Sequence, residues 1–180
     1  IFIHTYTLKN GFSNPRNEEK RIPVDSRNVV ALNATGTMIT NVPTTAQMER
    51  FLKINITLAL SNHFPPPKSG WYYPDSMLNM FKQWISIQLV WSLMPAKYFR
   101  VGLFRLDTRL ENDVNIFDGD AVVPDFMNWK GRFSNDQLFY GLYKYAEAWA
   151  TTRQKLLPEY LKTHQTLHSE RIVRFVLKSC

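Results

Sequence analysis

Three clusters of cations and aromatic rings are the residues of this chain best suited to hold a partner. Lys97, Tyr98, Arg100, Arg105 and Arg109 surround one apolar stretch. Trp129, Lys130 and Arg132, followed by Phe133, make a second cluster. Lys68, Trp71, Tyr72 and Tyr73 make a third, inside the proline-rich stretch FPPPKSGWYYP at 64–74. Single-stranded nucleic acid is held by cations that follow the phosphates and by rings that stack on unpaired bases. Arginine adds bidentate contact to a phosphate. In a strand, Arg100 and Arg105 point to opposite faces, so only part of the first cluster can serve one groove. The same rings also suit a core in which only their polar tips reach water.

A second chemistry is metal binding. Asp113, Asp118, Asp120 and Asp125 carry the oxygen ligands that a hard divalent cation takes, and with Lys130 nearby the segment 113–125 suggests metal-dependent cleavage of nucleic acid. Calcium-loop spacing is absent: counted from Asp113, position six is Asp118 rather than Gly and position twelve is Pro124 rather than Glu. His164 and His168 are four apart and would share a helical face, but Gln165 stands where a zinc-protease motif needs Glu. The lone Cys180 ends the chain and has no adjacent base to activate it. No hydrolase elbow or phosphate-binding glycine loop occurs. No catalytic residue, metal site or cofactor is therefore assigned.

Positioning falls to the elements around these clusters. The largest apolar stretch, Ser76 to Met94, reads as a helix with Met77, Leu78, Phe81, Trp84, Ile85, Leu89 and Trp91 over more than half its circumference. Asn79, Lys82, Gln83 and Ser86 form a narrow polar stripe. Such a helix is roughly 28 Å long, the width of a small domain. Lys82, Gln83 and Gln88 interrupt its apolar character, so it is expected in a protein core and not across a membrane. Pro74 and Asp75 mark its start and Pro95 its end.

Upstream, residues 1–9 alternate as a strand covered on both sides. Residues 10–27 mix turn formers and charges and predict an exposed loop or arm. Val29 to Leu32 and Thr37 to Val42 predict a hairpin turning at 33–36. Thr44 with Gln47 fits a capping box at the start of one helix running to Ser61. Downstream, 98–106 predicts a strand, and Asp118-Gly119 predicts a hairpin turn between 114–117 and 120–123. A helix is expected from Ser134, interrupted at Pro158, with a further helix over 161–180. Its apolar patch of Ile172, Val173, Phe175 and Val176 would pack home or reach a neighbouring subunit. The Asn-X-Thr sequons are at Asn33 and at Asn55, the latter in an apolar run that reads as buried.

Together these elements predict one α+β domain over 1–180. Its core is helix-dominated around 76–94, with a small antiparallel β portion. Net charge is +7, unevenly spread. Residues 105–125 hold two Arg against six acidic residues, so the remaining chain carries +11, with 20 basic residues against 9 acidic. A basic surface with one acidic segment suits a polyanion partner and self-association. One cysteine excludes an internal disulfide framework and points to a reducing compartment, or to a virion. The chain opens on Ile rather than Met, which reads as a fragment or processed product, and no signal-peptide pattern stands there. The leading expectation is a non-enzymatic assembly protein, such as a viral coat or nucleocapsid-type subunit, binding single-stranded RNA and itself as a homo-oligomer. The alternatives are a metal-dependent enzyme using 113–125 and a protein-binding adaptor using the loop 64–74.

Overall fold

The computed structural model describes residues 1–7, 12–14, 19–22, 34–66, 71–95, 98–105, 113, 115, 117, 119–124 and 135–179, with 7, 12–14 and 19–22 described as backbone only. These residues form two compact units, Ile1–Pro95 and Ala96–Cys180. The class is α+β, and helices dominate both cores.

In the first unit the strands are β1 (Phe2–Thr7), β2 (Phe12–Asn14), β3 (Glu19–Ile22) and β4 (Gly36–Asn41). Residues 12–14 and 19–22 pair antiparallel, so the segment expected as an exposed arm contains a small two-stranded sheet. Only the second strand of the expected hairpin lies within the described residues. β4 pairs in parallel with β1, from Phe2 opposite Gly36 to Thr7 opposite Asn41, and residues 29–33 lie outside the described residues. A parallel pair needs a crossover of a dozen or more residues, here the stretch that carries β2 and β3. Ile3 and His4, on opposite faces of β1, are both buried, as the two-sided pattern implied.

The predicted helix over 44–61 is two helices, α1 (Thr45–Leu52) and α2 (Ile56–His63). Thr44 and Gln47 form the expected capping box. The break falls where Lys53 takes a left-handed conformation at φ 55°. Asn55 then caps α2, its side chain accepting from the Leu58 N–H at 2.8 Å. Glu49 accepts from the Ile56 N–H at 2.8 Å. Asn55 is exposed, contrary to its apolar surroundings in the sequence.

α3 (Asp75–Ser92) is the central helix of this unit. Met77, Met80, Phe81, Trp84 and Ile85 are buried, whereas none of Ser86–Ser92 is. The burial is therefore concentrated in the first half of the helix. Its polar stripe is not simply a solvated face. The Tyr6 hydroxyl donates to the Lys82 carbonyl at 2.8 Å, and Ser86 meets His4. The stripe thus receives the polar side of β1. No helix is long and apolar enough to cross a membrane among the described residues.

The second unit has a three-stranded antiparallel sheet of β5 (Arg100–Phe104), β6 (Ala121–Val122) and β7 (Leu138–Leu142), in the order β5-β7-β6. β7 replaces the first turns of the helix expected from Ser134. Leu138–Leu142 has the spacing of either structure, and pairing on both edges with β5 and β6 satisfies its backbone as a strand. Val114, Ile116 and Asp118 of the expected hairpin lie outside the described residues, and β6 pairs with β7. Gly141 permits that approach, because a Cβ there would lie 2.3 Å from the Asp120 carbonyl oxygen.

α4 (Tyr143–Leu161) follows directly and continues through Pro158, three residues from its end, where the sequence predicts an interruption. Residues 162–168 then turn back, with His164 at φ 58°, into α5 (Ser169–Lys178). Ile172, Val173 and Val176 are buried, and Phe175 meets the Tyr160 ring edge-on at 5.4 Å. The C-terminal patch therefore packs home on α4.

Candidate nucleic-acid interface

The sheet of the second unit has two unlike faces. On one, the fully buried Phe139 packs against Trp149 of α4, ring centroids 5.8 Å apart. The alternation of β5 places Arg100, Gly102 and Phe104 on the other face. Tyr140 stands beside Gly102 in register, and Val122 beside Tyr140 on its other side. Gly102 and Phe104 are exposed, and Arg100, Tyr140 and Val122 are half-buried. The Phe104 ring folds over Gly102 so closely that a Cβ at Gly102 would come within 2.6 Å of it. Tyr98 and Phe99, just before β5, are 44% and 77% exposed. Phe117 is 72% exposed, and the Arg100 guanidinium lies 6.0 Å from its ring centroid. Arg100 also donates to the Gly119 carbonyl, tying the turn before β6 to β5. The face away from α4 thus carries Phe104 over Gly102, with the buried Leu138 opposite Phe104, and Arg100 meeting the exposed Phe117.

Arg105 does not join this surface. It is half-buried, and its charge acts on Glu170. In the first unit, Phe64 gathers the aromatic loop: Trp71 meets it at 6.1 Å and Tyr73 at 5.0 Å, both edge-on. Trp71 is half-buried, while Tyr72 and Tyr73 are 47% and 64% exposed. Lys68, Lys97, Arg109, Trp129, Lys130 and Arg132 lie outside the described residues, as do Asp118 and Asp125. Asp113 and Asp120 are exposed, and no group of three potential metal ligands forms among the described residues. His164 and His168 share no helical face, because one sits in the turn after α4 and the other caps α5.

Two buried polar constellations escape sequence reasoning. In the first unit, His4 is hydrogen-bonded through Nδ1 to Ser86 Oγ at 2.6 Å and through Nε2 to Thr40 Oγ1 at 2.9 Å. One imidazole thereby pins β1, β4 and α3 together. Burial holds its pKa below the ordinary 6.5. Its partners are 36 and 82 residues away, so no local spacing reveals them.

In the second unit, Arg153 is 1% exposed, and none of its side-chain nitrogens has a hydrogen-bond partner among the described residues. Its guanidinium lies 3.8 Å from the Trp149 ring centroid. Burial pushes its pKa down to about 10, against the opposing pull of Asp136 and Glu170. For the Glu170 carboxyl, burial works upward, but the bond to His168 and the charge of Arg105 outweigh it and leave the group below its ordinary value. The available signal is an Arg that continues the 3–4 spacing of Ala146, Trp149, Ala150, Leu157 and Tyr160, an apolar face where a cation is out of place.

No protein-family model, curated protein or solved structure matches the chain.

Proposed function

We propose that this chain is a non-enzymatic, single-stranded nucleic-acid-binding subunit of the kind that packages RNA in many copies. The observation that carries the proposal is the outer face of the three-stranded sheet. Arg100 and Phe104 stand there, Phe117 meets the Arg100 guanidinium, the Phe104 ring lies over Gly102, and the exposed Tyr98 immediately precedes the strand. A soluble surface rarely keeps this many large rings in water unless they meet a partner. A sheet backed by helices and fronted by aromatics suits unpaired bases, which stack on rings whatever their sequence. The +7 charge supplies the accompanying attraction for phosphates.

The test is a fluorescence titration of the chain with a labelled single-stranded RNA and a duplex of equal length, at two salt concentrations. Single strands are expected to bind more tightly than duplex, and binding should weaken as salt rises. Phe104→Ala should weaken it by roughly 5- to 100-fold, the value of one stacked base. Equal affinity for duplex, or no loss in Phe104→Ala, sinks the proposal. Light scattering with and without RNA tests assembly, and a monomer under both conditions removes that part.

A further inference from the structure

We propose that β4 is a pairing edge for a second copy of this chain, the two strands running antiparallel across a two-fold axis at Ile39. The inference rests on the many-copies part of the reading above and names the contact that joins them.

The edge follows from the ladder. β1 and β4 form a two-stranded sheet among the described residues. The Gly36 N–H donates to the Ile1 carbonyl at 3.3 Å, which sets the alternation of the parallel pairing. Gly36, Met38 and Thr40 then bond to β1, and Thr37, Ile39 and Asn41 aim their N–H and C=O groups at the opposite edge. Among the described residues those groups have no further partner. β1 is buried on both faces, at Ile3 and His4, whereas Thr37, Ile39 and Asn41 are exposed. β4 is therefore the strand of this sheet that meets solvent.

Nothing in β4 guards that edge. Strand edges left in water are commonly protected by charge, proline or a bulge. No charged residue stands between Arg27 and Glu49. Pro43 lies past the end of the strand, and the register with β1 runs unshifted from Gly36 to Asn41.

The same features select a second copy as the occupant. The chain carries +7, so two copies repel over most of their surface and approach best where charge is absent. In an antiparallel pair, directly opposed residues at alternate positions exchange both backbone bonds. An axis at Ile39 opposes Ile39 to itself and Thr37 to Asn41 of the second copy, and all of these have outward backbone groups. The Ile39 side chain, 49% exposed, then meets its own copy, and the polar side chains meet on either side of it. Such a two-fold contact matches one patch to itself and closes the open edge of both copies.

Sedimentation velocity of the full-length chain without nucleic acid, from about 1 μM to about 1 mM, reads the contact. The dimer fraction should rise with concentration. Ile39→Lys brings like charges together at the axis from an exposed position, and it should leave a monomer with an unchanged circular dichroism spectrum. Thr37→Lys combined with Asn41→Asp sets opposite charges across the contact. At low salt it should tighten the dimer by roughly 2- to 25-fold, the worth of two opposite-charge cross-strand pairs. A monomer at every concentration overturns the inference. So does a dimer that persists in Ile39→Lys or that the charge pair fails to tighten. Failure here is separable from failure of the RNA reading. Copies that assemble on RNA but not through β4 remove this contact alone, and a β4 dimer that binds no RNA removes the sheet-face proposal alone.

Discussion

His4 shows how one residue couples pH to fold. Because burial lowers its pKa in the folded chain, the unfolded chain binds the proton first as pH falls. Its stabilising contribution is complete above about pH 6.5 and is lost as pH falls from there toward the folded pKa. Denaturant midpoints for the first unit should therefore decline from pH 7.5 to 5, and His4→Gln should flatten that decline. A wild-type curve no steeper than that of His4→Gln would refute the assignment. Arg153 poses the opposite case. Its charge is buried on an indole without hydrogen bonds among the described residues, and the downward shift means that desolvation outweighs Asp136 and Glu170. Arg153→Met keeps most of the volume and removes the charge, while Glu170 retains His168. Its melting temperature is expected to equal or exceed that of the wild type. Arg153→Ala, which opens a cavity beside Trp149, should cost about 2–5 kcal/mol. A large loss in Arg153→Met would show that the cation is needed where it lies.

At the scale of elements, the junction between α1 and α2 rests on backbone chemistry. Lys53 occupies the left-handed region that glycine adopts freely, so Lys53→Gly should stabilise the first unit by about 1 kcal/mol. Asn55→Ala removes the cap of α2 and should destabilise by about 1 kcal/mol. Thermal unfolding reads both, and the opposite signs make the pair informative. The outer sheet face depends on the missing side chain at Gly102. Gly102→Ala should displace the Phe104 ring and weaken RNA binding, with the circular dichroism spectrum unchanged.

These elements also show what sequence alone could reveal. α3 was legible because a long apolar stripe between prolines has few alternatives. The Thr44 capping box was legible because it is local. β7 was not, because Leu138, Leu142 and Ala146 fit helical spacing, and only pairing with strands at 100–104 and 121–122 decides otherwise. The break at Lys53 has no glycine or proline to announce it. Of the proposed interface, Tyr98 and Arg100 were visible as types. Phe104 was passed over, because its exposure depends on which face α4 covers, and Phe117 because it reads as an apolar strand residue of the expected hairpin.

For the whole molecule, the net charge of +7 makes the proposed RNA binding dependent on ionic strength. The logarithm of RNA affinity should fall linearly with the logarithm of salt, and Arg100→Ala should reduce the slope by about 1 if that guanidinium meets a phosphate. An unchanged slope with weaker binding would instead assign Arg100 to holding the Gly119 turn beneath Phe117.

The parallel pairing of β1 with β4 has a consequence in time. Synthesis makes β1 before β4, whose pairing with it begins at Gly36, and the His4 imidazole is satisfied only when Ser86 is in place. Contacts of such long separation close late, after loop entropy has been lost. β1 is thus among the last parts of its unit to become satisfied. During synthesis it stands as an unpaired edge of Phe2, Ile3 and Tyr6, the form in which a strand is most open to mispairing with another chain.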